Sequence, residues 1–139
     1  MFRKILVPTD GSTSALRACR VALQLSEIFG AHVEVLYAAY VPRMYETDLG
    51  AELMDGLLHD GTKIIEDSVK VFKEKGMTMV SELVQGKKPE DAIVDVIRRD
   101  GIDLVVISSH GLDNTRTKKL GSVTEIVLRH AGCSVLLVK

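Results

Sequence analysis

The chain has 139 residues, of which 46% are hydrophobic and 27% are charged, a composition typical of a globular protein and not of a disordered one. Its net charge of −1 gives no electrostatic reason to expect binding to nucleic acid or to an anionic membrane. No apolar stretch approaches the roughly 18–20 residues that a membrane-spanning helix needs, and the first residues lack the apolar segment of a signal peptide. We therefore expect a single domain over residues 1–139, located in the cytoplasm.

Short apolar runs alternate with amphipathic segments along the whole chain, a pattern that predicts strands alternating with helices. The predicted strands cover residues 4–7, 31–39, 77–84, 104–107 and 134–138. The first predicted helix lies between the N-cap candidates of residues 9–13 and a C-terminal glycine, Gly30, and the other three cover about residues 51–75, 89–99 and 122–130. Five strands alternating with four helices favour an α/β fold, with a parallel sheet and helices on both of its faces. In open sheets of this kind, ligands bind beyond the carboxyl ends of the strands, where the strand order reverses.

The middle of the chain has the weakest pattern. Residues 40–50 have mixed polarity and no period, so we expect a mobile loop there. Gly56 and Gly61 each lower helix propensity by roughly 1 kcal/mol relative to alanine. We therefore expect firm helical order only from about Thr62 onwards.

The cysteines and histidines suggest neither a disulfide nor a metal site. Cys19 and Cys133 are too few for a disulfide framework and lack the spacing of metal ligands. We expect both to be buried, reduced thiols. His32, His59 and His130 are scattered and form no ligand pair, so we predict no metal site built by the protein itself.

Two glycine-bearing loops follow predicted strand ends. Thr9–Gly11 comes after the first strand, and Ser108–Gly111 comes after the fourth, with Gly121 and Ser122 nine residues further on. Glycine lets the backbone approach an anion closely, and the free N–H groups at the start of a helix favour negative charge. This pattern predicts phosphate binding. Ser122 and Glu125 also match a capping box, in which the serine satisfies its own helix and no phosphate is needed.

These residues resemble the universal stress protein family over essentially the whole chain. One match is Ile5–Ser12, and the stronger match is the C-terminal block that contains Gly111, Gly121 and Ser122. The family has a Rossmann-like fold of the adenine nucleotide alpha hydrolase type, an open five-stranded parallel sheet with strand order 3-2-1-4-5. The resemblance therefore implies that the first and fourth strands are neighbours and that their loops face each other across one crevice. Nucleotide-binding members carry Gly-x-x-Gly, nine residues, and then Gly-Ser or Gly-Thr.

The chain departs from that motif at one position, where Ser108 stands in place of the first glycine. Gly111, the nine-residue interval and the Gly121-Ser122 pair are all kept. A Cβ at position 108 is expected either to crowd the ribose or to strain the backbone by roughly 1–2 kcal/mol, if a left-handed conformation is required there. Alternatively, the serine hydroxyl bonds a ribose oxygen.

The resemblance implies a role for each matched residue. Asp10 contacts the base, although it also fits a simple cap of the first helix. Pro8 and Thr9 flank the nucleoside through their backbone. Ala38, at the end of the second strand, receives the adenine through its backbone. The nucleotide-binding residues implied in this way are Pro8, Thr9, Asp10, Ala38, Ser108, Gly111, Gly121, Ser122, Val123 and Thr124. The basic residues of the nine-residue interval, which fit either screening of a triphosphate or an exposed loop, are Arg116, Lys118 and Lys119.

The function that the resemblance implies is that of an ATP-binding regulatory protein of the stress response, with AMP or ADP as other ligands and any Mg²⁺ arriving with the phosphates. One alternative is a dimeric member that binds no nucleotide, which Ser108 favours. Another is a slow ATPase or a protein that phosphorylates itself on Ser122 or Thr124, although no base is convincingly paired with a nucleophile. Residues 134–138 would form an apolar edge strand, where members often dimerise, so we expect a homodimer.

Overall fold

The computed structural model describes residues 1–45, 48–110 and 120–139. The strands are β1 (Lys4–Pro8), β2 (His32–Ala39), β3 (Val80–Gln85), β4 (Leu104–Ser108) and β5 (Ser134–Val138). The α-helices are α1 (Thr13–Phe29), α2 (Asp48–Lys73), α3 (Pro89–Asp100) and α4 (Ser122–His130). A short 3₁₀ turn at Arg43–Tyr45 precedes α2.

The five strands form one parallel sheet in the order β3-β2-β1-β4-β5. In the centre of the sheet, Ile5 of β1 lies opposite Val33 of β2 on one side and Leu104 of β4 on the other. The predicted α/β fold and strand order are therefore confirmed. The order reverses between β1 and β4, so their carboxyl ends border the crevice where ligands bind in such sheets.

The sheet separates two apolar cores because successive strand residues point to opposite faces. On one face, Ile5 and Val7 of β1 pack with Cys19 of α1 and Phe72 of α2. On the other face, Leu6 packs with side chains from α3 and α4. Helices on both faces make the central strands fully buried, which explains their unbroken apolar sequence.

The first half of α2 departs from the sequence prediction. The helix begins at Asp48, and the segment predicted as a mobile loop contains the 3₁₀ turn and this helix start. Gly61 lies where α2 passes over Tyr37 of β2, and a Cβ on Gly61 would come within 2.4 Å of the tyrosine Cε1. The expectation of order only from Thr62 was wrong because it counted this glycine as a defect, whereas the close packing of α2 on the sheet requires it.

The two cysteines differ in their surroundings. Cys19 is buried, and that burial raises the pKa of its thiol to about 11. Cys133 is only half-buried because it immediately precedes the edge strand β5, and partial burial raises its pKa as well. Both are free thiols. The expected burial is confirmed for Cys19 and was wrong for Cys133, while a raised pKa keeps both in the weakly reactive protonated form.

A cluster of charged side chains lies near the amino end of β2 and the end of α3. Nη2 of Arg99 lies 2.5 Å from Oε2 of Glu82 and 2.7 Å from Oδ2 of Asp100. Burial, a hydrogen bond with Asp100 and the charge of Asp100 raise the pKa of Glu34 to about 7, against the opposing charges of Arg99 and Lys4. The hydrogen bond with Arg99 is the main cause that lowers the pKa of Asp100 to about 2. Glu34 thus keeps its proton up to about neutral pH beside an ionised Asp100.

Replacing Glu34 by glutamine is expected to change stability only slightly at pH 5 and to raise it more at pH 8. The fold binds the Glu34 proton more tightly than the unfolded chain does, so the stabilisation is complete below about pH 4.5 and is lost as the pH rises through about 7. Glutamine mimics the protonated form at both pH values and donates to Asp100. The gain at pH 8 should stay below about 1 kcal/mol, because the side chain is partly exposed and water screens its charge. Urea unfolding at both pH values measures it, and an equal difference at pH 5 and pH 8 would contradict the prediction.

Candidate functional site

A cleft of about 530 Å³ opens at the carboxyl ends of β1, β2 and β4. Nine of the ten predicted site residues line it, and the tenth, Gly111, lies outside the described residues, as do Arg116, Lys118 and Lys119. The nine are Pro8, Thr9, Asp10, Ala38, Ser108, Gly121, Ser122, Val123 and Thr124. The fold therefore brings segments that are about one hundred residues apart in sequence to the same crevice.

The cleft also has an apolar wall that sequence reasoning missed. It contains Tyr37 from β2, Leu57 from α2, Pro89 and Ile93 from α3, and Ile107 from β4. Tyr37 is adjacent in sequence to the predicted residue Ala38, but no local signal marks Leu57 or Pro89 as site residues. An apolar wall beside a few polar groups is the usual construction of a small-molecule site.

The loop after β1 is held by its own polar groups. The Thr9 N–H donates to the Leu36 carbonyl at 2.9 Å, and the Ser12 N–H donates to Oδ1 of Asp10 at 2.9 Å. The cap of α1 is Ser12, whose Oγ accepts from the Ala15 N–H at 3.1 Å. The alternative that Asp10 merely caps α1 was therefore wrong. Asp10 instead orders the turn before the helix, and it also lines the cleft.

Ser108 is the last residue of β4 and is 7% exposed. No described residue other than glycine has a positive φ, so the strain expected for a left-handed serine does not arise. Its Oγ donates to the His110 carbonyl at 3.0 Å. A hydroxyl has one proton to donate, so only the acceptor capacity of this oxygen is left for a ligand.

The start of α4 presents free backbone donors to the cleft. The N-cap is Gly121, with φ −60° and ψ 150°, and no described side chain caps it. The predicted capping box was wrong because Ser122 is already the first helical residue, and Glu125 instead pairs with Arg129 at 3.0 Å. The first intrahelical bond runs from the Glu125 N–H to the Gly121 carbonyl. Within the described chain, the N–H groups of Ser122, Val123 and Thr124 have no protein acceptor.

The start of α4 is tied to the end of β4 by direct hydrogen bonds. Oγ1 of Thr124, which is 5% exposed, donates to the Ser108 carbonyl at 2.9 Å. The Gly121 N–H donates to the Ser109 carbonyl at 2.9 Å, and the Ser109 N–H donates to the Val138 carbonyl at 2.9 Å. These bonds fix the free donors of α4 relative to the sheet, so the donors are preorganised before any ligand arrives.

Tyr37 is a titratable residue in the wall of the cleft, and its pKa is shifted. Tyr37 is buried, and that burial raises its pKa, with smaller contributions from the charges of Asp60 and Asp10. It is therefore a neutral phenol at physiological pH. Nδ1 of His110 lies 2.9 Å from Oγ of Ser109, and His110 is not among the described residues that line the cleft.

Neither a metal centre nor a membrane segment is found in the part of the chain that the structure describes. No three potential His, Cys, Asp or Glu ligands cluster there, and none of its helices has both the length and the apolar character to span a bilayer.

Known proteins resemble this chain over its whole length. Residues 1–139 match the model of the Universal stress protein family. The chain is 31% identical over 145 residues to universal stress protein MJ0531 of Methanocaldococcus jannaschii, with 100% of this chain and 83% of that protein covered.

Solved structures share the fold. The structure of MJ0577 from Methanocaldococcus jannaschii superposes with a TM-score of 0.89 at 29% identity, covering 100% of this chain and 96% of the other. A universal stress protein solved in complex with cAMP gives 0.72 at 27% identity, with 99% and 97% covered. A family model that matches every residue, and a relative that is 31% identical across the whole of this chain, show that the chain belongs to the universal stress protein family.

Proposed function

We propose that this protein binds an adenine nucleotide, ATP or its products ADP and AMP, and acts as a cytoplasmic regulatory protein of the stress response. The observation that carries the proposal is the set of free N–H groups at Ser122, Val123 and Thr124, which line the cleft at the positive end of α4. They are typical of an anion site. The complex of a related universal stress protein with cAMP supports the same ligand class.

The size and chemistry of the cleft fit a nucleotide. About 530 Å³ lies within the range of small-molecule sites. Asp10 and the backbone of Ala38 offer polar groups for the edge of the base, and Tyr37 and Leu57 offer apolar cover. The free donors of α4 would take the phosphates, together with Gly111 if it follows the family pattern. Mg²⁺ would then be bound mainly by those phosphates and by water.

We also propose that the protein forms a homodimer through the β5 edge of the sheet. Among the residues that the structure describes, no strand pairs with the outer side of β5, and an open edge of this kind favours pairing with another strand. Leu136 of β5 and Ile126 and Leu128 of α4 are exposed apolar side chains on this part of the molecule. Contact with a second copy at this edge would bury these apolar side chains and so stabilise a dimer.

A regulatory role is favoured over catalysis. Thr124, one of the two hydroxyls considered for self-phosphorylation, is buried and already donates to the Ser108 carbonyl. Ser122 is exposed, but no described residue next to it has the arrangement of a general base. Release of phosphate from bound ATP, detected in a turnover assay, would instead support the alternative that this protein is a slow ATPase.

ATP is expected to bind saturably at concentrations below a millimolar, and Ser108→Gly is expected to change that affinity by less than about tenfold, or ~1.4 kcal/mol. Ser108 is unstrained and its hydroxyl bonds the backbone, so a glycine gains little. Isothermal titration calorimetry of the unchanged protein and the variant measures both, with Ser109→Ala as a control that does not line the cleft. ATP binding that appears only in the glycine variant would support the alternative that this protein is a family member that binds no nucleotide. The absence of binding heat in every variant would refute the proposal.

A further inference from the structure

A second groove, of about 330 Å³, lies beside the cleft, between the 3₁₀ turn and the first half of α2. Its apolar lining includes Pro42, Tyr45, Leu53 and Leu57. Leu57 also lines the cleft, so the two cavities share one wall. Nothing in the proposed nucleotide site uses the rest of this groove.

The two segments that line the groove carry exposed apolar side chains, of which Leu53 lies in the lining itself. Met44 is 79% exposed, Leu49 is 52% exposed and Leu53 is 42% exposed. Leu49, Leu53 and Leu57 are spaced by four residues in α2, so they form one stripe along the helix. Single exposed apolar residues are normal, but a stripe that borders a groove is typical of an interaction site.

The same segment is strongly acidic. Residues 44–62 contain five carboxylates and no lysine or arginine. Glu52 and Asp60, eight residues apart in α2, both line the groove and lie on a stripe next to the leucines. The groove therefore combines an apolar floor with negative charge along its side.

We propose that this groove docks a basic, apolar segment of a partner protein, an amphipathic helix with leucine-like side chains on one face and lysine or arginine beside them. Apolar anchors would enter between Tyr45 and Leu53, and the cations would face Glu52 and Asp60. A second copy of this chain fits less well, because a symmetric contact would bring the carboxylates of both copies together. An anionic lipid surface is disfavoured by the same charge. The inference does not require that the cleft binds nucleotide.

Gly56 offers a way to block the groove without harming the helix. It lies between Glu52 and Asp60 in the lining, and a Cβ built on it meets no atom within 4 Å. Gly56→Leu would therefore place a side chain in the open groove. Leucine is also a better helix former than glycine, so a loss of binding in this variant would not come from unfolding.

The test uses the full chain without nucleotide and a synthetic amphipathic peptide of leucine and lysine, with a leucine and glutamate peptide of the same pattern as its control. We expect saturable one-to-one binding of the lysine peptide by calorimetry, with amide NMR shifts at Leu53, Gly56 and Leu57. Gly56→Leu should weaken it at least tenfold. The double variant Glu52→Gln/Asp60→Asn should weaken it several-fold, whereas Glu66→Gln/Asp67→Asn, which removes two exposed carboxylates from α2 outside the groove, should not.

Several results would overturn the proposal. Equal binding of the glutamate peptide would show that charge does not contribute to recognition. NMR shifts confined to another surface would show that the peptide does not bind in the groove. Concentration-dependent shifts of the groove residues without peptide would assign it to a second copy, and the same shifts with phosphatidylserine vesicles would assign it to a membrane. Because nucleotide is left out, failure of ATP binding and failure of peptide docking are measured separately.

Discussion

Alanine in place of Gly61 is expected to lower the free energy of unfolding by about 1–2 kcal/mol, because overpacking a well-packed core costs about 1–3 kcal/mol and the better helix propensity of alanine offsets about 0.5–1 kcal/mol of it. Its Cβ would come within 2.4 Å of Cε1 and 2.6 Å of Cδ1 of Tyr37, and within 3.1 Å of Cδ1 of Leu83. The Tyr37 ring is buried and lines the cleft, so the clash is relieved only if the ring shifts toward the cleft or α2 moves away from the sheet, and either shift disturbs existing packing. Denaturant unfolding of the variant and the unchanged protein measures the loss.

Gly56 is the matched control for this prediction, since it lies in the same helix, five residues earlier. A Cβ on Gly56 meets open space, so Gly56→Ala is expected to raise the free energy of unfolding by about 0.5–1 kcal/mol through helix propensity alone. The two variants should therefore change stability in opposite directions. If alanine stabilises the fold at both positions, α2 does not approach Tyr37 closely enough at Gly61 to exclude a Cβ.

Proline in place of Ser122 is expected to weaken ATP binding by roughly 10- to 100-fold while changing fold stability little. A hydrogen bond to a charged group contributes about 1.5–3 kcal/mol, and proline removes the N–H of this one residue. The first position of a helix tolerates proline because its N–H has no intrahelical partner. Gly121 already has the extended conformation, φ −60° and ψ 150°, that a residue before proline prefers.

Ser122→Ala separates the backbone donor from the side chain, because it removes the hydroxyl and keeps the N–H. We expect its ATP affinity to stay within a few-fold of that of the unchanged protein, and calorimetry with denaturant unfolding of both variants completes the comparison. Equal ATP affinity in the proline and alanine variants would show that this N–H does not contact the phosphates.

Local patterns were enough to predict the alternation of strands and helices, because central strands covered on both faces are continuously apolar and the helices have clear stripes. The neighbouring position of β1 and β4 came only from the family resemblance. Ile5 and Leu104, which pair across those strands, are distant in sequence, and no local period records such a pairing.

The failed predictions share a cause, since each depended on three-dimensional placement. Gly61 has a low intrinsic helix propensity, yet the approach of α2 to Tyr37 requires a residue without a Cβ. The Ser122–Glu125 pattern caps a helix only if Ser122 is the N-cap, and the helix begins one residue too early for that. Leu57 entered the candidate site through tertiary packing alone.

Leu57 would couple the two proposed binding sites, because it lines both the cleft and the groove. A rotamer that suits a ligand on one side changes the shape offered to a ligand on the other. Linkage is reciprocal, so the factor by which nucleotide changes affinity for a docked segment must equal the factor by which the segment changes affinity for nucleotide. In such a protein, the occupancy of the partner would report the cellular level of the nucleotide without any chemical step.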